Sequence, residues 1–388
     1  MKLRSLFSAI SYIYKCKKNL TRPRPTDILI YDKVGAADLA FYFKKHSYSI
    51  FECRGETINI TVLFYALIKY GYKIDFEKYA LTYIKIVDPK LVVTFIDNTI
   101  TFYKFKAYCP DIKFVSVQNG YRDNYLFETL LDNGGRSIFS ADVIFCFGTA
   151  VSKLYKRSIE THIIAHGSLK NNKVAKSESV TVYNKLGFIS QYRPPVFYKN
   201  TPTMPIGETF VPWNKFYSTE LLLLPLLFSF CKKNDLTLTI FGTSFNDGGS
   251  EFKFYSKLLE NDGWEYSAKS NVLDSYQKLY KVDSIVFIDS TLGYEALGRG
   301  LKCIAFPSRG SSYLAEDRRF GWPADLTEDG PFWTSQVTED SVFQLLNYVT
   351  KVNKEEWELI ITPVVENLMS FDEGNTQFIE IINQSIKN

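Results

Sequence analysis

The chain has 388 residues, 46% of them apolar and 23% charged, which excludes intrinsic disorder and suffices for two hydrophobic cores. A net charge of +4, with no basic stripe beyond the first 25 residues, argues against a nucleic-acid-binding surface. Six scattered cysteines (Cys16, Cys53, Cys109, Cys146, Cys231, Cys303) without a CxxC pair, and only three histidines, argue against a disulfide framework or a zinc site; they predict buried thiols in a reducing cytoplasm and no metal centre.

Residues 1–25 carry seven cations (Lys2, Arg4, Lys15, Lys17, Lys18, Arg22, Arg24) and no acid, leaving the rest of the chain at −3. Leu6, Phe7, Ile10, Tyr12, Ile13 and Tyr14 lie among them. The apolar run is too short to span a bilayer. It reads either as a basic amphipathic helix on an anionic membrane surface, peripheral to the inner face of the inner membrane, or as a solvated helix packed on the first domain.

From residue 26 onward, short apolar runs alternate with helical periodicity. Strands are predicted at 28–31, 49–53, 91–96, 113–117, 143–147 and 162–165, with helices between them at 36–45, 58–70 and 76–87. Residues 168–182 lose apolar content and read as a linker. A second set of strands follows at 185–190, 236–241, 284–288 and 302–306, with helices at 218–232, 252–260 and 272–281 and three more near 341–350, 355–368 and 375–386. This βαβ rhythm predicts an α/β class with two Rossmann-type doubly wound domains, 26–175 and 183–388, facing a cleft.

Candidate chemistry gathers where strands end, because open parallel sheets bind ligands beyond their carboxyl edges. In the first half, Asp97 closes one strand and Glu56 sits in the turn Arg54-Gly55-Glu56-Thr57. Glycosyl chemistry needs a carboxylate as nucleophile or base; the alternative readings are a helix N-cap for Asp97 and a surface turn for Glu56. Asn98, Gln118 and Asn119 are placed to orient Asp97 or bind sugar hydroxyls. Arg122 and Arg193 read as ligands of a substrate carboxylate or as surface ion pairs.

In the second half, three strand exits carry small and hydroxylated residues suited to a nucleotide phosphate: Ser190-Gln191-Tyr192-Arg193, the stretch 242–249 with Thr243 and Ser244, and Asp289-Ser290-Thr291. Gly293 reads as a point of close anion approach, and Glu295 as an acceptor for ribose hydroxyls. Trp322, Phe332 and Trp333 either wall a nucleotide pocket or pack a loop. No GxxxxGK[ST] and no GxGxxG after the first strand is present, which argues against a kinase, an ATPase or a standard NAD enzyme.

The segments DNTITFYKF (97–105), VSVQNGYR (115–122), HGSLKNN (166–172), FISQYR (188–193), FIDSTLGYEALGRG (287–300) and FGWP…GPFWT (320–334) resemble, in order, those of bacterial surface-carbohydrate-biosynthesis transferases of GT-B type, relatives of the retaining Kdo and nonulosonate transferases of capsule and O-antigen. The resemblance implies a glycosyltransferase with no cofactor beyond a nucleotide-sugar donor, CMP-linked and held by Ser290, Thr291, Gly293 and Glu295. It also implies a glycan or lipid-linked acceptor and catalytic carboxylates on the N-terminal half. A polyol-phosphate transferase and a UDP-sugar epimerase of similar architecture are the alternatives; the scarcity of histidine speaks against the former.

Overall fold

The computed structural model describes residues 16–177, 181–206, 209–245, 249–260, 262–271, 273–309, 317 and 319–387. Residues 1–15 of the basic segment and 246–248 of the 242–249 stretch lie outside the described residues. The chain divides into two compact units.

The first unit is built on a six-stranded parallel sheet. Its strands are β1 (Ile28–Tyr31), β2 (Tyr48–Phe51), β3 (Leu91–Thr94), β4 (Lys113–Val117), β5 (Ser140–Cys146) and β6 (Glu160–Ala165). Their spatial order is β2-β1-β3-β4-β5-β6, so the chain reverses direction across the sheet between β1 and β3. β1 and β3 are buried at every position, which is why both read as unbroken apolar runs rather than alternating ones. Side chains stop the helices from fraying. Asn59 accepts from Val62 N–H (3.1 Å) ahead of Ile60–Tyr70, and Asp75 from Lys78 N–H (2.8 Å) ahead of Phe76–Val87. A short parallel pair, Lys17–Asn19 with Thr57–Asn59, was not expected from the sequence.

The boundaries differ from the sequence reading: residues 147–151 and 170–175, assigned above to the first domain, cluster with the second unit. The helix Thr376–Lys387, assigned above to the C-terminal domain, belongs to the first unit. Phe378, Ile382 and Ile386 recur at helical spacing and are buried in the same core as Ile28, Val93, Val115 and Phe145. Asn375 fixes the entry, donating from Nδ2 to the Tyr42 hydroxyl (2.6 Å) and to the Leu169 carbonyl (3.0 Å). Periodicity identifies a helix but not the sheet that it covers.

The second unit holds a five-stranded parallel sheet of β7 (Lys185–Ile189), β8 (Thr237–Phe241), β9 (Trp264–Ser267), β10 (Ser284–Phe287) and β11 (Cys303–Ala305). The order β9-β8-β7-β10-β11 puts its reversal point between β7 and β10. β9 is a half-buried edge strand with no continuous apolar run, and sequence reading missed it. It also missed an antiparallel meander, Val196–Tyr198, Thr201–Ile206 and Thr209–Pro212.

Candidate functional site

In the first unit, Asp97 lies three residues beyond β3 and is fully buried. Arg122, from the loop after β4, reaches it with Nε to Oδ2 at 2.6 Å and with Nη2 to Oδ1. Oδ1 also accepts the Asn119 backbone N–H (3.1 Å), and Oδ2 the Tyr155 hydroxyl. Burial, reinforced by the Asp97 charge, raises the Tyr103 and Tyr155 hydroxyls far above the ordinary tyrosine range, so both remain donors. Tyr103 gives its proton to the Asp97 carbonyl at 2.6 Å.

Asp97, Asn119 and Arg122 are therefore brought together, as their places at adjacent strand ends suggested, but they satisfy one another. Arg122 spends Nη1 on the Tyr121 carbonyl (3.1 Å) and Nη2 also on Asn119 Oδ1. Gln118 is buried and donates to the Gly120 carbonyl (3.0 Å). A carboxylate with both oxygens held and no exposed surface is not presented to a substrate, so the expectation of Asp97 as nucleophile or base does not match this geometry. Asn98 is exposed in the same turn. Glu56 is exposed on a separate turn and accepts the Arg54 N–H at 3.2 Å. The carboxylate at the reversal point of this sheet is Asp32, which sequence reading passed over. It is buried at the end of β1 with φ +101° and is paired with Arg54 Nε at 2.7 Å.

In the second unit, the three predicted clusters follow β7, β8 and β10, which are neighbours in the sheet. Gln191 Oε1 lies 3.4 Å from the Asp289 N–H, bridging the reversal point. The helix Thr291–Gly298 begins there with Ser290 as N-cap, and its side chain makes no capping hydrogen bond. The first-turn amides and the dipole's positive end thus face the sheet's carboxyl edge, where an anion binds readily.

The other two clusters are organised by a residue that sequence reading did not single out. Buried Glu251 accepts from the hydroxyls of Ser190 (2.5 Å), Thr243 (3.0 Å) and Tyr266 (2.9 Å) and from the N–H groups of Thr243 (3.0 Å) and Ser244 (2.9 Å). Ser190 and Thr243 therefore spend hydroxyls on this carboxylate, contrary to the expectation that they bind phosphate directly. Gly293 also differs from its predicted role: a Cβ there would sit 2.2 Å from the Phe287 ring, so the glycine admits the helix onto β10. Glu295 is buried and accepts from the Tyr276 hydroxyl at 3.1 Å. Arg193 is exposed, with its backbone N–H on the Tyr217 hydroxyl (2.7 Å). Phe332 and Trp333 pack with Phe320 in a buried aromatic cluster, which decides for loop packing over a pocket wall.

Arg309 completes this edge. It is buried, with Nε 3.2 Å from both oxygens of Asp289, Nη1 on the Phe216 carbonyl (2.7 Å) and Nη2 on Glu220. Burial opposes the Arg309 charge, but Asp289 and Glu220 together raise its pKa above the ordinary value. Burial raises Glu220 against the pull of Arg309. Among the described residues, no three histidine, cysteine or acidic side chains are grouped to hold a metal ion.

The family model described as "putative O-antigen biosynthesis protein" matches residues 115–386, well over half of the chain. The chain belongs to this O-antigen biosynthesis family. No curated protein matches the sequence. Among solved structures, the chain is similar to a "putative UDP-N-acetylglucosamine 2-epimerase" from Listeria monocytogenes, with TM-score 0.54 at 10% identity over 93% of this chain and 97% of that one. It is also similar to S. aureus MnaA in a co-structure with UDP, with TM-score 0.51 at 14% identity over 96% and 97%. A third likeness is to a glycosyltransferase from Rickettsia africae, with TM-score 0.50 at 12% identity over 97% and 100%. At such identities the likeness establishes the fold, and this O-antigen family member has the GT-B-like pair of Rossmann-type α/β units.

Proposed function

We propose that the protein is a metal-independent glycosyltransferase of surface-polysaccharide biosynthesis that binds the phosphate of a nucleotide-sugar donor at the start of the helix Thr291–Gly298. The observation that carries this reading is the helix N-terminus at the reversal point of the second sheet, where Ser290 leaves the first-turn amides without a side-chain cap. Ser290 and Thr291 supply hydroxyl donors, and Gln191 bridges from the neighbouring strand end. Glu251 holds the loop after β8 in place, and Arg309 offsets the carboxylates of Asp289 and Glu220 beneath the phosphate. The resemblance stated for the sequence gives the ribose hydroxyls to Glu295, whose Oε1 here holds the Tyr276 hydroxyl. The donor, following the resemblance stated for the sequence, is CMP-linked Kdo or another nonulosonic acid, and the acceptor is a glycan or lipid-linked glycan.

A second reading, a UDP-sugar epimerase, has support from the MnaA structure with UDP. The two part on the nucleotide and on the need for an acceptor. Calorimetry of the full chain with CMP, CDP and UDP, with and without Mg²⁺, tests the proposal. CMP binding that is indifferent to the metal and lost in Thr291→Val supports it. Preference for UDP, with isomerisation of a UDP-sugar in the absence of acceptor, turns the assignment to the epimerase.

A further inference from the structure

The helix Ile60–Tyr70 buries only Val62 and Ala66, yet almost every residue in it is apolar. On the opposite side, Phe64 (60% exposed) and Ile68 (67%) lie one turn apart and face water. Tyr72, just past the helix, is 92% exposed. Leu20 is 73% exposed and is held beside the first turn by the Thr61 hydroxyl, which donates to its carbonyl at 2.7 Å. A contiguous apolar surface of this kind on one helix is not accounted for by the packing of the first unit.

Cations frame it. Lys17 and Lys18 are exposed on the strand Lys17–Asn19, Arg22 lies 5.8 Å over the Tyr65 ring, and Lys69 and Lys73 are exposed at the helix end. The acids that follow, Asp75 and Glu77, are already paired with Lys78 (2.7 Å) and Lys104 (2.9 Å). Beside Lys17 lie exposed Glu56 and half-buried Glu52, the latter paired with Lys33 (2.8 Å), so the frame is positive on balance around an apolar centre, which is the complement of an anionic lipid surface: aromatic and aliphatic side chains enter the acyl boundary while cations meet the headgroups.

We propose that this face of the first unit, centred on Phe64 and Ile68, is a docking surface for an anionic membrane. Its residues belong neither to the nucleotide site nor to residues 1–15. Co-sedimentation of the full chain with vesicles of phosphatidylglycerol and phosphatidylcholine in equal parts, and with phosphatidylcholine alone, tests it. The wild type pellets with the anionic vesicles at low salt and is released at high salt. The variant F64E/I68E binds roughly a hundredfold more weakly, since two large apolar side chains no longer partition. A second variant, L20E/Y72E, changes the same face outside the helix, so a folding defect in the first is not mistaken for lost binding. Vesicle binding that survives both variants but is lost when Lys2, Arg4 and Lys15 are replaced by Gln overturns the proposal in favour of the N-terminal segment. A wild type that ignores anionic vesicles, or that dimerises through this face without binding them, overturns it as well.

Discussion

Arg122 meets Asp97 side-on with two nitrogens, and this single pairing joins the residues following β3 to the loop following β4. The Asp97 carboxylate has no exposed surface. Its chemistry in this structure is to hold a guanidinium still.

Asp97→Asn should therefore cost stability first. Breaking a buried pair strands the remaining charge, at about 3 kcal/mol. Urea unfolding of the variant should show a lower midpoint and, in consequence, reduced activity at ordinary temperature. A variant of unchanged stability with turnover abolished would instead return Asp97 to the reaction itself.

Glu251 supports the donor edge through backbone and side-chain donors alike. Glu251→Ala removes the shared acceptor of the Thr243 and Ser244 amides and of the Ser190, Thr243 and Tyr266 hydroxyls, and should destabilise the second unit by roughly 3 kcal/mol. Nucleotide affinity, measured by calorimetry at a temperature where the variant is still folded, should fall as well. Unchanged affinity would place the nucleotide away from the loop after β8.

Arg309→Met gives a signed pH dependence. The folded state raises the pKa of Glu220 even with Arg309 present, so that group's contribution is most favourable at low pH and declines as pH rises through the carboxylate range. Without Arg309 the Glu220 pKa rises further, and Asp289 loses its partner. The difference in thermal midpoint between wild type and variant should be small near pH 4 and widen toward neutrality. A gap independent of pH would mean that Arg309 acts by packing on Phe216 rather than by charge.

Gly293→Ala places a methyl group 2.2 Å from the Phe287 ring, where no flexible chain end can give way. Overpacking of this kind costs about 1–3 kcal/mol. The helix Thr291–Gly298 would lift from β10, so a lowered unfolding midpoint should be accompanied by weaker nucleotide binding. Loss of binding at full stability would restore Gly293 to direct anion contact.

The parallel strands were legible because burial on both faces leaves unbroken apolar runs, as in β1, β3 and β10. β9, with its residues only half buried, carries no such mark. The sites were legible in part. Strand ends such as those at Gln191 and Asp289 do converge, since adjacent strands deliver their exits to one edge. What a one-dimensional reading could not show is which polar groups consume one another. Ser190 and Glu251 are 61 residues apart, and Asp97 and Arg122 are 25 apart. Asp32 was discoverable from its place directly after a buried strand, and Arg309 from its place shortly after β11. Glu251 had no such signal, because an acid in the first turn of a helix is ordinarily a solvated one.

The helix Thr376–Lys387 has a bearing on how the protein is made. Its Phe378, Ile382 and Ile386 complete a core whose first strand is Ile28–Tyr31. During synthesis the six-stranded sheet, complete at Ala165, must wait with that flank unfilled until roughly 220 further residues have left the ribosome, at the ~5–20 residues per second of translation. For tens of seconds the nascent first unit offers a ready surface to chaperones, while the second unit, residues 147–151 and 170–374, has already been synthesised in full.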